Sequence, residues 1–222
     1  MEAAEIDIAG LHTIAVGDPA APLVVVVLHG RMMEAADLAP FAHSLGVSGY
    51  FLFPDGVLPA LPRGRTWWPV DTEARARALQ QGPLDLHAMV PDGRATARTK
   101  LRHVCDIAGG RRLALVGFSQ GGMLAMDYVL HDHPRPDALA LLSSSRIAYT
   151  EWQPRLGRLV DLPVLVAHGH GDAELAFAAG EGLRDAAMAG GAKVTWLPFD
   201  GGHEIPLVVW RALRKLIRRF VS

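Results

Sequence analysis

Leu113-Ala-Leu-Val-Gly-Phe-Ser-Gln-Gly-Gly122 is the stretch on which the reading of the whole chain turns. Its first four residues form a short apolar run that reads as a buried strand. Gly117-Phe-Ser-Gln-Gly121 follows at once, and a helical pattern begins at Gly122 and runs to about His131. Strand, sharp turn and helix around G-x-S-x-G is the context in which this motif presents a serine for nucleophilic chemistry. The turn forces Ser119 into a strained backbone conformation. Glycine at 117 and 121 leaves room where a Cβ would collide with the neighbouring strand or helix. Ser119 Oγ then stands at a helix N-terminus, where the dipole and free N–H groups favour developing negative charge.

Outward from this turn, apolar runs and helical patterns alternate. Leu11–Val16 is weakly strand-like and Leu23–Leu28 is apolar without alternation, as suits a strand buried on both faces of a mostly parallel sheet. Ala35–Leu45 has helical periodicity, and Tyr50–Phe53 is a strand stopped by Pro54-Asp-Gly56. Helices are expected over Glu73–Gln81, Asp92–Ile107, Leu175–Ala189 and Leu207–Phe220, and strands over Ala138–Leu142, Pro163–Ala167 and Lys193–Leu197. This alternation predicts an α/β fold, a largely parallel, doubly wound sheet with helices on both faces, in one domain spanning 1–222. Between Pro54 and Pro91 the pattern dissolves into prolines, glycines and Trp67-Trp68. An irregular connection of that length is usually a lid or binding loop. Leu58, Trp67, Trp68 and Leu86 from this segment, with Met123 and Ile205, are the candidate walls of a pocket for an uncharged acyl or aryl group.

Composition narrows the class. The 222 residues are 50% hydrophobic and 20% charged with a formal net charge of -1, which suits a globular protein with a substantial core and excludes a disordered one. The basic run Arg214–Arg219 alternates with apolar residues, as on the wet face of a terminal helix, so nucleic acid is not an expected partner. The single cysteine, Cys105, excludes an internal disulfide. Met1-Glu-Ala-Ala-Glu5 is acidic and no apolar h-region follows it, and no run is long enough to span a bilayer, so a cytoplasmic setting is expected. The sequence leaves a homodimer open.

A serine hydroxyl needs a base within hydrogen-bond reach, itself oriented by a carboxylate. In this kind of fold the three appear in the order Ser, Asp or Glu, His. Ser119, Asp172 and His203 supply that order, each at the carboxyl end of a strand or in a loop on the same sheet edge. Glu174 is the alternative acid. The oxyanion donors are expected from the N–H of Gln120 and of Arg31, the latter in the loop His29-Gly-Arg31. The Arg31 side chain either stays solvated or reaches into the site towards a substrate carboxylate or acyl oxygen. His168-Gly-His-Gly-Asp172 has metal-like spacing, but Ala173 stands where a two-metal hydrolytic site would want a histidine, so no metal is expected and His168 is expected to stabilise the turn carrying Asp172.

Val27-Leu-His-Gly30, Gly117-Phe-Ser-Gln-Gly-Gly122, His168-Gly-His-Gly-Asp172 and Gly201-Gly-His-Glu-Ile205 together resemble the phospholipase/carboxylesterase branch of the α/β-hydrolase superfamily, which includes acyl-protein thioesterases and small bacterial carboxylesterases. The resemblance implies a serine esterase for short or medium acyl esters, working without metal or cofactor through Ser119, Asp172 and His203. It departs from the family pattern at Arg31, where many members carry leucine, and at Met32-Met33.

Overall fold

The computed structural model describes residues 3–221. Its strands in chain order are β1 (Ala3–Ile8), β2 (Leu11–Gly17), β3 (Leu23–Leu28), β4 (Tyr50–Pro54), the two-residue strands β5 (Leu58–Pro59) and β6 (Arg65–Thr66), then β7 (Arg112–Phe118), β8 (Ala138–Leu142), β9 (Pro163–Gly169) and β10 (Lys193–Phe199). The helices are α1 (Ala35–Leu38), α2 (Phe41–Leu45), α3 (Thr72–Leu79), α4 (Arg94–Asp106), α5 (Gln120–His131), α6 (Tyr149–Trp152), α7 (Phe177–Ala189) and α8 (Leu207–Ile217).

Eight strands form one sheet in the order β1-β2-β4-β3-β7-β8-β9-β10, while β5 and β6 make a separate ribbon. Pairing from β4 through β10 is parallel, and only β1–β2 and β2–β4 are antiparallel. The apolar runs of the sequence explain the layers. In β3, Val24, Val26 and Leu28 pack into one core while Leu23, Val25 and Val27 pack into the other. A period of two sends alternate side chains to opposite faces, so a strand covered on both sides must be apolar throughout. Helices α4, α5 and α7 cover the first face, and α1, α2 and α8 cover the second.

The sheet is therefore the doubly wound, mostly parallel one that the alternation predicts. Three local differences have physical reasons. Strand β1 was not expected, because an exposed edge strand needs little apolar alternation and five of its six residues escape full burial. The helical stretch Ala35–Leu45 is two short helices, since Pro40 cannot donate into a continuous ladder and instead opens α2. The last helix ends at Ile217, with a 3₁₀ turn over Arg218–Phe220. The segment 54–91 is less irregular than its composition: it holds the β5–β6 ribbon and α3, whose first turn is capped by the Asp71 carboxylate accepting from Ala74 N–H.

Candidate active site

Strand β7 enters the middle of the sheet and ends at a turn where Ser119 has φ 53° and ψ -117°. A side chain at that φ is strained, and the surrounding backbone holds it there. The packing requires both glycines of the motif. A Cβ on Gly117 would lie 2.3 Å from Gly121 O, and one on Gly121 would lie 2.4 Å from Leu28 O. Helix α5 thus starts directly against β3 and β7, with Ser119 as its N-cap.

The loops after β9 and β10 bring the other two groups to the same place. A Cβ on Gly169 would sit 2.4 Å from Gly202 O, so only glycine lets the two loops cross so closely. His170 and Gly171 N–H groups donate to Phe199 O and Gly201 O, both at 2.9 Å, and tie the crossing. His203 Nδ1 lies 2.7 Å from Asp172 Oδ2, and His203 Nε2 lies 2.9 Å from Ser119 Oγ. The other carboxylate oxygen, Asp172 Oδ1, accepts from the N–H groups of Glu174 and Leu175 at 2.8 and 2.9 Å. Burial alone would raise the Asp172 carboxyl, but hydrogen bonds from His203, Leu175 and Glu174, with the charge of the imidazole, hold it below its ordinary value. An acceptor-only carboxylate requires the proton of His203 on Nδ1, which leaves Nε2 to accept from the Ser119 hydroxyl. That is the arrangement able to make the hydroxyl nucleophilic.

The N–H groups of Arg31 and Gln120 donate to no acceptor among the described residues, and both residues line the cleft with Ser119. Unengaged donors beside a nucleophile are what a developing oxyanion needs. The loop bearing Arg31 is clamped from beneath. His29 is buried, its Nδ1–H donating to Gly30 O at 2.6 Å and its Nε2 accepting from Gly56 N–H at 2.8 Å. Desolvation lowers the His29 pKa and so keeps the ring neutral for both bonds. Met32 N–H donates to Arg65 O, and Arg65 N–H returns to Met33 O. Sequence reasoning missed this clamp, although two short strands flanking Gly64 were a usable hairpin signal.

A cleft of about 580 Å³ opens over Ser119. Trp68, Leu86 and Met123 line it, together with Met33, Met89 and Leu175. Leu58, Trp67 and Ile205 are corrections. Leu58 lies outside the cleft, on the exposed ribbon and 36% exposed. Trp67 is buried beneath the loop, where its Nε1–H donates to His29 O at 2.9 Å and its ring packs on the imidazole. Ile205 packs against the core on the α8 face of the sheet. Glu174, the alternative acid, instead pairs with Arg75 at 2.6 Å.

His168 is buried in the turn that carries Asp172, its Nε2 3.1 Å from Leu175 O, and burial lowers its pKa. His170 faces elsewhere, with Nδ1 3.1 Å from Phe199 O and its ring stacked on Phe177. Among the described residues no group of three or more His, Cys, Asp or Glu is placed to hold a metal. None of their helices is long and apolar enough to cross a membrane.

Several solved structures share the fold of this chain. Arabidopsis thaliana SOBER1 has a solved structure that matches with a TM-score of 0.73 at 20% identity, over 90% of this chain and 99% of that one. Zea mays acyl-protein thioesterase 2 matches with a TM-score of 0.77 at 16% identity, over 95% and 99%. A carboxylesterase from Mesorhizobium loti matches with a TM-score of 0.73 at 14% identity, over 96% and 97%. At these identities the likeness is one of fold. No curated protein sequence matches the chain. The phospholipase/carboxylesterase family model matches residues 59–220. That match spans more than half of the chain, and this protein belongs to the phospholipase/carboxylesterase family of α/β-hydrolases.

Proposed function

We propose that this protein is a serine carboxylesterase that cleaves short- to medium-chain carboxylic esters in the cytoplasm through an acyl-serine intermediate, with no cofactor. The observation that carries the reading is the unbroken hydrogen-bond chain Asp172 Oδ2–His203 Nδ1 and His203 Nε2–Ser119 Oγ, at 2.7 and 2.9 Å. Ser119 Oγ attacks the ester carbonyl while His203 Nε2 takes its proton, and Asp172 stabilises the imidazolium. The carbonyl oxygen gains charge between the N–H groups of Arg31 and Gln120, a contact worth about 10²–10³ in rate per donor. His203 then protonates the leaving alcohol, and water repeats the sequence to release the acid and restore Ser119.

Ser119→Ala is expected to abolish turnover of 4-nitrophenyl butyrate and labelling by a fluorophosphonate probe. Near-full activity in that variant rejects the reading. A second reading, thioester cleavage by the same triad, is favoured by the fold shared with a protein named as an acyl-protein thioesterase. Matched oxygen esters and thioesters of one acyl chain separate the two by their kcat/KM ratio, and a lactone and an amide in the same panel test the remaining acyl chemistries.

A further inference from the structure

Arg31 supplies more than a backbone donor. Its half-buried side chain lines the cleft beside Ser119 and His203 and makes no hydrogen bond or ion pair with any described residue. Desolvation and the nearby Arg75 guanidinium both act against its charge, and only Glu174 favours it. Glu174 is already engaged, its carboxylate 2.6 Å from Arg75 Nη2. The other charged groups of the cleft wall do not compensate Arg31. Asp85 pairs with Arg146 at 3.3 Å, Asp71 caps α3, and Arg63 is exposed. Of the two guanidinium groups of the wall that lack a counter-ion, Arg31 is the one that is partly desolvated. A fork of N–H donors in that state is a site for a planar anion.

We propose that Arg31 is a specificity-determining residue that selects esters carrying a carboxylate within one arginine side chain's reach of the scissile carbonyl. The proposal rests on the serine-hydrolase reading of the same site. A monoanion fits better than a dianion, because Arg63, the other unpaired guanidinium of the wall, is exposed to solvent and Glu174 stands next to Arg75. The backbone N–H of Arg31 meets the carbonyl oxygen while its guanidinium meets the carboxylate, so one residue measures the distance between them. Trp68, Met123 and Leu86 cover the methylenes that lie between.

Two matched pairs locate the carboxylate. Mono-(4-nitrophenyl) adipate against 4-nitrophenyl hexanoate places it on the acyl side. The hexanoyl ester of 3-hydroxypropionate against propyl hexanoate places it on the alcohol side. In one pair kcat/KM is expected to favour the anionic member by about tenfold to a hundredfold, the range of one charge-assisted hydrogen bond in a partly desolvated site. That ratio should fall at least tenfold in Arg31→Met, survive largely in Arg31→Lys, and shrink as NaCl is raised. The lysine variant keeps the test decisive should methionine disturb the loop. A ratio of one or below in both pairs, or a ratio that Arg31→Met leaves unchanged, overturns the proposal. If neither member of any pair is turned over and fluorophosphonate fails to label Ser119, the esterase reading itself has failed. Calorimetric titration with the monoanion hexanoate then decides the anion site alone: weaker binding to Arg31→Met supports it, and equal binding rejects it.

Discussion

Gln120 Oε1 accepts the Trp67 backbone N–H at 3.0 Å, and the same oxygen accepts the Thr66 hydroxyl at 2.9 Å. The residue that follows the serine therefore fastens the turn of α5 to the segment 54–91, and Trp67 passes the constraint on to His29 through its indole N–H. One side chain couples the two halves of the candidate oxyanion site. Gln120→Leu leaves the buried Trp67 N–H without an acceptor, at a cost of about 1–3 kcal/mol, while the Thr66 hydroxyl keeps Trp68 O at 2.8 Å. For a chain of this size the melting temperature should fall by roughly 2–12 °C. Turnover should drop at least tenfold as the Arg31 loop loosens, read by thermal denaturation and ester hydrolysis on the same preparation.

Asp172 holds both the imidazole and the turn that carries it. Asp172→Asn is expected to lower kcat by about 10⁴, because an amide cannot keep the proton of His203 on Nδ1. Glu174→Gln removes a partner of Arg75 instead and should cost less than tenfold. The reverse ranking of the two variants would move the acid to Glu174.

Two buried histidines set the response to mild acid. His29 and His168 are both held below the ordinary value of 6.5, chiefly by desolvation. A group whose folded pKa is depressed is protonated first in the unfolded chain. Its contribution to stability is therefore present above 6.5 and is lost as pH falls below that value. His12, raised by its hydrogen bond to Asp55, acts in the opposite sense, but it is half-exposed and screened. The depressed carboxylate of Asp172 adds its loss only in stronger acid. The melting temperature should hold between pH 7 and 8 and decline from about pH 6.5 towards 5. His29→Asn and His168→Asn should each flatten that decline, and an undiminished decline in both variants would exclude these histidines as its source.

Gly121 packs where no side chain fits. Its added Cβ would stand 2.4 Å from Leu28 O and 2.7 Å from His29 O, both backbone atoms that cannot rotate away. Gly121→Ala should destabilise the chain by about 2 kcal/mol or more and remove esterase activity. Gly157→Ala meets nothing within 4 Å and serves as the matched control, with stability expected to change little.

Asp127 is a buried charge away from the cleft. It receives Arg98 Nη1 at 2.9 Å and the Trp152 indole N–H at 2.6 Å, with Arg94 and His131 close by at 3.4 Å. Arg94 keeps Glu151 and Arg98 keeps Asp132, so removing Asp127 strands chiefly the buried Trp152 indole N–H and weakens both ion pairs. Asp127→Ala should cost about 1–3 kcal/mol, measured by denaturant unfolding. The charge-neutral Arg94→Met/Asp127→Leu pair should recover part of that loss.

What the sequence alone determined was whatever depends on short-range chemistry. The unalternating run Leu23–Leu28 dictates a strand covered on both faces, because no polar side chain is present to face water. The glycines around Ser119 dictate a crowded turn, and the order of serine, aspartate and histidine follows from strand ends that share one sheet edge. Only the tertiary structure decided the direction of side chains in the segment 54–91. Adjacent Trp67 and Trp68 point to different places there, one beneath the His29 loop and one into the cleft, because no helical or strand period ties them to a face. The same holds for Arg31. Whether its charge is neutralised depends on Arg75 and Glu174, which lie 44 and 143 residues further along the chain and meet it only after folding.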